Sequence, residues 1–70
     1  MAQHYHLKTT EIFLVLAGNG IININGTMNN CKIGDIILCE PNDVHSFKAL
    51  DSWVIAIFKV NETKDDILWI

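Results

Sequence analysis

Asn25-Gly26, set between two short runs of strand-forming residues, is the feature that most constrains this chain, because that dipeptide supplies the positive φ angles of a two-residue hairpin turn. Similar punctuation recurs at Gly18-Asn19-Gly20, Gly34-Asp35 and Pro41-Asn42-Asp43. The runs between these turns are rich in β-branched and large apolar residues and carry no 3.6-residue period, so the chain reads as all-β. Strands are expected over residues 11–17, 20–25, 27–32, 36–40, 45–49 and 53–60, with 61–64 as a polar loop and 66–70 docking as a short terminal strand. Short strands at this spacing suit a small barrel or sandwich, and closure would remove exposed edges.

With 70 residues the chain is a single domain over 1–70, and a domain of that size buries only about 60% of the surface its unfolded form exposes. Half of its residues are nonetheless apolar, too many for a disordered segment, so burial in a compact fold or an oligomer is expected. A homodimer follows, with Trp69 and Ile70 as the expected exchange point. The apolar runs at 12–17 and 53–58 fall far below the roughly 18 residues of a membrane span, and no secretory leader is evident, so a cytoplasmic location with no membrane partner is expected. Net charge is −3 and arginine is absent, which disfavours nucleic-acid binding. Cys31 and Cys39 form no CxxC pair and read as reduced, buried and inert.

The candidate chemistry lies in the three histidines. His4 and His6, at i and i+2 on an extended segment, project from one face roughly 7 Å apart and can converge on one ion. Glu11 and His45 would close the site. Imidazole nitrogens with one carboxylate oxygen suit a divalent transition metal: Mn, Fe, Co, Ni, Cu or Zn. Each residue alone has a plainer reading: a solvated chain end for His4 and His6, an exposed carboxylate for Glu11, a turn-flanking histidine for His45. Parity adds a constraint. Glu11 is an odd number of residues from His6, so an unbroken strand would point it away from the metal, and a bulge is required at Lys8-Thr9-Thr10. Beyond it, Phe13 and Val15 should share the inward face of Glu11, and Phe47 should follow His45 inward. Phe13, Val15 and Phe47 are the candidate substrate-binding residues; plain core packing is the first reading of these three and of Phe58, with pocket lining as the alternative. Tyr5 reads as a packing residue and Lys8, Lys48 and Lys59 as solvated.

The joint spacing resembles both halves of the cupin signature. His4-Tyr5-His6, four residues, Glu11, six residues and Gly18 stand in register with the first half. Gly34-Asp35-Ile36-Ile37-Leu38-Cys39-Glu40-Pro41-Asn42-Asp43-Val44-His45 reproduces the second, with Glu40 where the family usually has its first proline and Ala49 where an asparagine often follows the last histidine. Met1 to Gln3 alone precede the first histidine. The resemblance implies an N-terminally abbreviated, small cupin-type antiparallel β-barrel, a jelly-roll-like double-stranded β-helix, whose metal ligands would be His4, His6, Glu11 and His45. It also implies a function: binding of a small polar metabolite at a divalent ion, with oxidoreductase or isomerase activity within the family's range. The alternative is a non-catalytic sensor of sugar-like small molecules, similar to the effector-binding domain of transcription regulators. A covalent nucleophile is not expected, since Ser46 faces away from His45 and neither Cys31 nor Cys39 has an evident base.

Overall fold

The computed structural model describes residues 3–70. Turn chemistry and alternation together produce eight strands: β1 (His4–Tyr5), β2 (Thr10–Ala17), β3 (Asn19–Ile24), β4 (Thr27–Lys32), β5 (Ile36–Cys39), β6 (His45–Ala49), β7 (Val54–Val60) and β8 (Leu68–Trp69). They form two antiparallel sheets, a five-stranded one in the order β4-β3-β6-β1-β8 and a three-stranded one in the order β5-β2-β7. Asn25 and Gly26, at φ 51° and 87°, make the tight β3–β4 turn, and Asn42 takes φ 73° after Pro41. No helix among the described residues is long and apolar enough to cross a membrane.

The period-2 pattern of β2 is the clearest in the molecule. Glu11, Phe13 and Val15 are buried while Ile12 and Leu14 are half-buried and Leu16 is exposed, so one face of the strand closes on the opposite sheet. The core between the sheets is Phe13, Val15, Ile22, Cys31 and Cys39, with Ile24, Ile37, Phe47, Trp53 and Ile55 packed around it. Phe58 is not part of it. Its register opposite Ile12 puts it on the outer face, 54% exposed, because inward positions of β7 pair with Glu11, Phe13 and Val15.

Two boundaries differ from expectation. β3 begins at Asn19, inside the expected turn, and Trp53 stands ahead of β7. Both follow from one close approach: the Trp53 ring lies against Gly20, where a Cβ would sit 2.4 Å from the ring atoms, so only glycine admits it. The terminal segment does dock as a strand, and it does so within its own chain. β8 pairs with β1, Trp69 stands opposite His4, and the Ile70 amide donates to the Gln3 carbonyl at 3.0 Å.

What this topology accomplishes for function is a corner. β1 lies beside β6, with His4 directly opposite His45, whereas β2 belongs to the other sheet. Residues 6–9 therefore carry the chain from one sheet to the facing one. The parity break demanded by the sequence is this crossing, not a bulge within one continuous strand.

Candidate metal centre

Each of the four candidate ligands arrives on a different piece of the fold. His4 comes from β1, His6 from the corner after it, Glu11 from the second position of β2 in the facing sheet, and His45 from the first position of β6. All four are buried, at 4, 8, 5 and 1% exposure respectively. One ligand atom from each lies within 4.8 Å of the others, and the His4 and His45 rings stand 4.1 Å apart between centroids. A set of three imidazoles and one carboxylate so arranged could hold a metal ion.

The orientation of two rings is set from outside the cluster. His45 donates from Nδ1 to the Asp43 carbonyl at 3.0 Å, and His6 donates from Nδ1 to the Asp66 carbonyl. A carbonyl oxygen only accepts, so in both rings Nδ1 carries the proton and Nε2 faces the cluster. There, His6 Nε2 lies 2.6 Å and His45 Nε2 3.2 Å from the same Glu11 Oε1. These three buried atoms make no regular hydrogen bond despite their proximity. Buried polar atoms are rarely left so, and three of them aimed at one point fit a cation.

Electrostatics describes the same convergence. Burial alone would raise the Glu11 carboxyl, but the His45 side chain and the electrostatic influence of the neighbouring His6, His45 and Lys59 side chains outweigh it and hold the group below its ordinary value. Burial would lower His45, yet contacts with the Cys39 and Glu11 side chains and the Asp43 carbonyl push it up to about 10. The metal-free site at neutral pH thus pairs an imidazolium with a carboxylate. Its contribution to stability is full below the ordinary histidine value near 6.5 and is lost as pH rises through about 10. Metal uptake must expel that proton, so at pH 7 it should release about one proton per ion, and affinity should rise about tenfold per pH unit up to about 10. Calorimetry in buffers of different ionisation enthalpy reads the proton directly, and a buffer-independent heat would contradict the pairing. The weakening of binding, expected from unperturbed imidazoles only at low pH, therefore begins above neutrality.

Sequence reasoning missed three contributors. Asp66, near the far end of the chain, receives the backbone N–H groups of Leu7 at 2.8 Å and of Lys8 and Thr9 at 2.9 Å each, and the Thr9 hydroxyl at 2.9 Å. Its carboxylate and carbonyl together tie the 6–9 corner and the His6 ring to β8's approach. The donors hold its carboxyl down to about 2, against the modest effect of burial. No local motif announces such a contact across 57 to 60 residues. Cys39, expected to lack a base, is buried opposite Glu11 and beside His45 because β5 pairs with β2 in that register. Lys59, expected to be merely solvated, is exposed but stands opposite Glu11 on β7, and its Nζ binds Glu62 at 3.0 Å.

The candidate substrate-binding residues extend from the cluster into the barrel. Phe13 packs at 6.1 Å from His45 and edge-on to Phe47 at 4.8 Å, and Val15 continues that wall. Phe13 and Val15 are fully buried in the core, while Phe47 is half-buried. Tyr5 is half-buried on the other face of β1, and Ser46 likewise faces away from His45.

A two-sheet β-barrel with three histidines and a glutamate meeting between its layers defines a small cupin-type domain. The chain belongs to the AraC-like ligand-binding domain family, which it matches over residues 1–69. Among solved structures, a single-substitution variant of Streptomyces PAC13 with uridine superposes with a TM-score of 0.89 at 16% identity, covering 99% of this chain and 56% of that one. Pac13, described as a unique nucleoside dehydratase, gives 0.82 at 15% identity, covering 99% of this chain and 57% of that one. A cupin protein from Bacteroides fragilis gives 0.75 at 25% identity, covering 90% and 55%. The chain thus spans a little over half the length of these proteins. No curated protein matches it.

Proposed function

We propose that this chain is a metal-dependent cupin domain that binds a small polar metabolite at a divalent transition ion held by His4, His6, Glu11 and His45. The observation that carries the reading is the meeting of His6 Nε2, His45 Nε2 and Glu11 Oε1 in a buried cluster where none has regular hydrogen-bond geometry. An ion there would supply Lewis acidity and open coordination positions for a chelating ligand. The chain's own residues supply the rest. The Asp43 and Asp66 carbonyls hold the two rings in the ligating tautomer, and Phe47, backed by Phe13 and Val15, offers an apolar surface to the ligand's remaining atoms. Cys39 is sealed in the core and Ser46 faces outward, so no covalent nucleophile enters the reading.

Two forms of this function differ in chemistry. In one the domain is an enzyme with oxidoreductase or isomerase activity; in the other it senses a sugar-like molecule without turnover. Membership of a ligand-binding family supports the second; likeness in fold to a nucleoside dehydratase, which eliminates water and is neither an oxidoreductase nor an isomerase, supports turnover without favouring either of those reactions. The uridine-bound neighbour favours a hydroxyl-bearing ligand in either case. We place the domain in the cytoplasm, a reading supported by its two free, buried thiols, and as a homodimer with no nucleic-acid or membrane partner.

Calorimetry with a small bidentate hydroxamate, a probe for open coordination positions, tests the mechanism. Binding to the metal-loaded protein should be at least about tenfold tighter than to the stripped protein, through mass action on the ion. Equal affinity would remove the ion from ligand recognition. Turnover of a hydroxyl-bearing metabolite by the loaded form would separate enzyme from sensor.

A further inference from the structure

The side of the three-stranded sheet that faces away from the candidate metal centre is apolar apart from Thr10 of β2, which stands opposite Val60. Leu38, Ile12 and Phe58 form one row across β5, β2 and β7, and Ile36, Leu14 and Ala56 form the next. Val60 and Val54 extend the patch along β7. Ile36 is 69% exposed, and Leu38, Phe58, Val54 and Val60 are 51, 54, 52 and 48% exposed. These side chains together present on the order of 500 Å² of contiguous apolar surface, near the top of what a monomer carries and most of the roughly 800 Å² one partner contributes to a standard interface. No charged side chain interrupts the two rows.

Stability points the same way. Among the described residues, five hydrophobic side chains are fully buried, whereas fifteen large ones are exposed, so the isolated chain keeps more of its apolar side chains in water than in its core. Packing a second layer against that sheet would return this apolar surface to a core. We infer that the outer face of the β5-β2-β7 sheet is the surface on which a second copy of this chain packs, sheet face to sheet face about a two-fold axis near Ile12 and Leu14. The two rows are uncharged and centred on the middle strand, so a rotated copy presents the same rows in return, as an isologous contact requires. Aligned packing of two such faces would bury the patch as the inner layer of a sandwich. β8, the exchange point expected from sequence, is already paired with β1 of its own chain.

This inference rests on the homodimer named above and assigns its surface. Light scattering on the untagged protein at about 10 μM should give twice the 7.9 kDa chain mass. The double variant Leu38→Lys/Phe58→Lys should run as a monomer while retaining its far-ultraviolet β spectrum, and Trp69→Ala should remain dimeric. A monomeric wild type overturns both the dimer and its surface. A dimer that persists in the folded double variant, or that dissociates in Trp69→Ala alone, overturns the surface and keeps the dimer. Should the double variant not fold, the single change Ile36→Lys, at the most exposed position of the patch, decides on the same readings.

Discussion

Replacing His45 with alanine should strip the metal from the protein: elemental analysis of untagged wild type should find about one ion per chain, and of His45→Ala only background. His45 is the most deeply buried of the four candidate ligands, at 1% exposure, and its Nε2 reaches the same Glu11 oxygen that His6 approaches. Its loss removes a donor that no solvent-exposed group can replace. Affinity should fall by well over the roughly 10- to 100-fold that accompanies loss of an outer-sphere partner. The same substitution leaves Glu11 with fewer partners in a buried site and opens space beside Phe13, so the metal-free variant should also melt lower, by on the order of 3 kcal/mol of stability. Glu11→Gln keeps the packing volume and should lose metal with less loss of stability. Equal, sub-stoichiometric metal in wild type and His45→Ala would refute the assignment of the ligands.

Asp66→Ala should weaken metal binding by about 10- to 100-fold although Asp66 touches no metal. The carboxylate satisfies three consecutive backbone N–H groups and the Thr9 hydroxyl, and Thr9 is 3% exposed, so removal leaves buried donors unpaired at the corner that carries His6. The Asp66 carbonyl that fixes the His6 tautomer would then be held less firmly. Nitrogen chemical shifts of the His6 ring should therefore move toward a mixture of tautomers in the metal-free variant, a change that general destabilisation would not produce. Asp66→Asn keeps one accepting oxygen and should fall between. Because the folded-state carboxyl is lowered to about 2 from an ordinary 3.8, its stabilisation is present above the ordinary value and lost as pH falls toward 2. An Asp66→Ala protein with wild-type affinity and an unchanged His6 signal would show the corner to be held by other contacts.

Much of this molecule is written in local sequence. Asn25-Gly26 and Pro41-Asn42 specify turns through backbone angles that few other residues adopt, and the alternation from Glu11 to Val15 assigns one face of β2 to the interior without reference to any partner. The cluster was legible because His4, His6, Glu11 and His45 stand at spacings that strands and one tight turn bring together. Parity even required that the chain break between His6 and Glu11.

How it breaks, and what holds the break, belongs to the tertiary structure. Whether residues 6–9 bulge within a strand or cross between sheets depends on β1 pairing with β6 while β2 pairs with β5 and β7, and register between distant strands is a property of the packed molecule. The same holds for Asp66, which reaches the corner from some 60 residues away, and for Cys39, which pairing places beside His45. Phe58 shows the limit most simply: its apolar character suggested the core, but the β2–β7 register turned it outward. Hydrophobicity determines that such a side chain seeks cover, and only the arrangement of strands decides whether its own chain provides it.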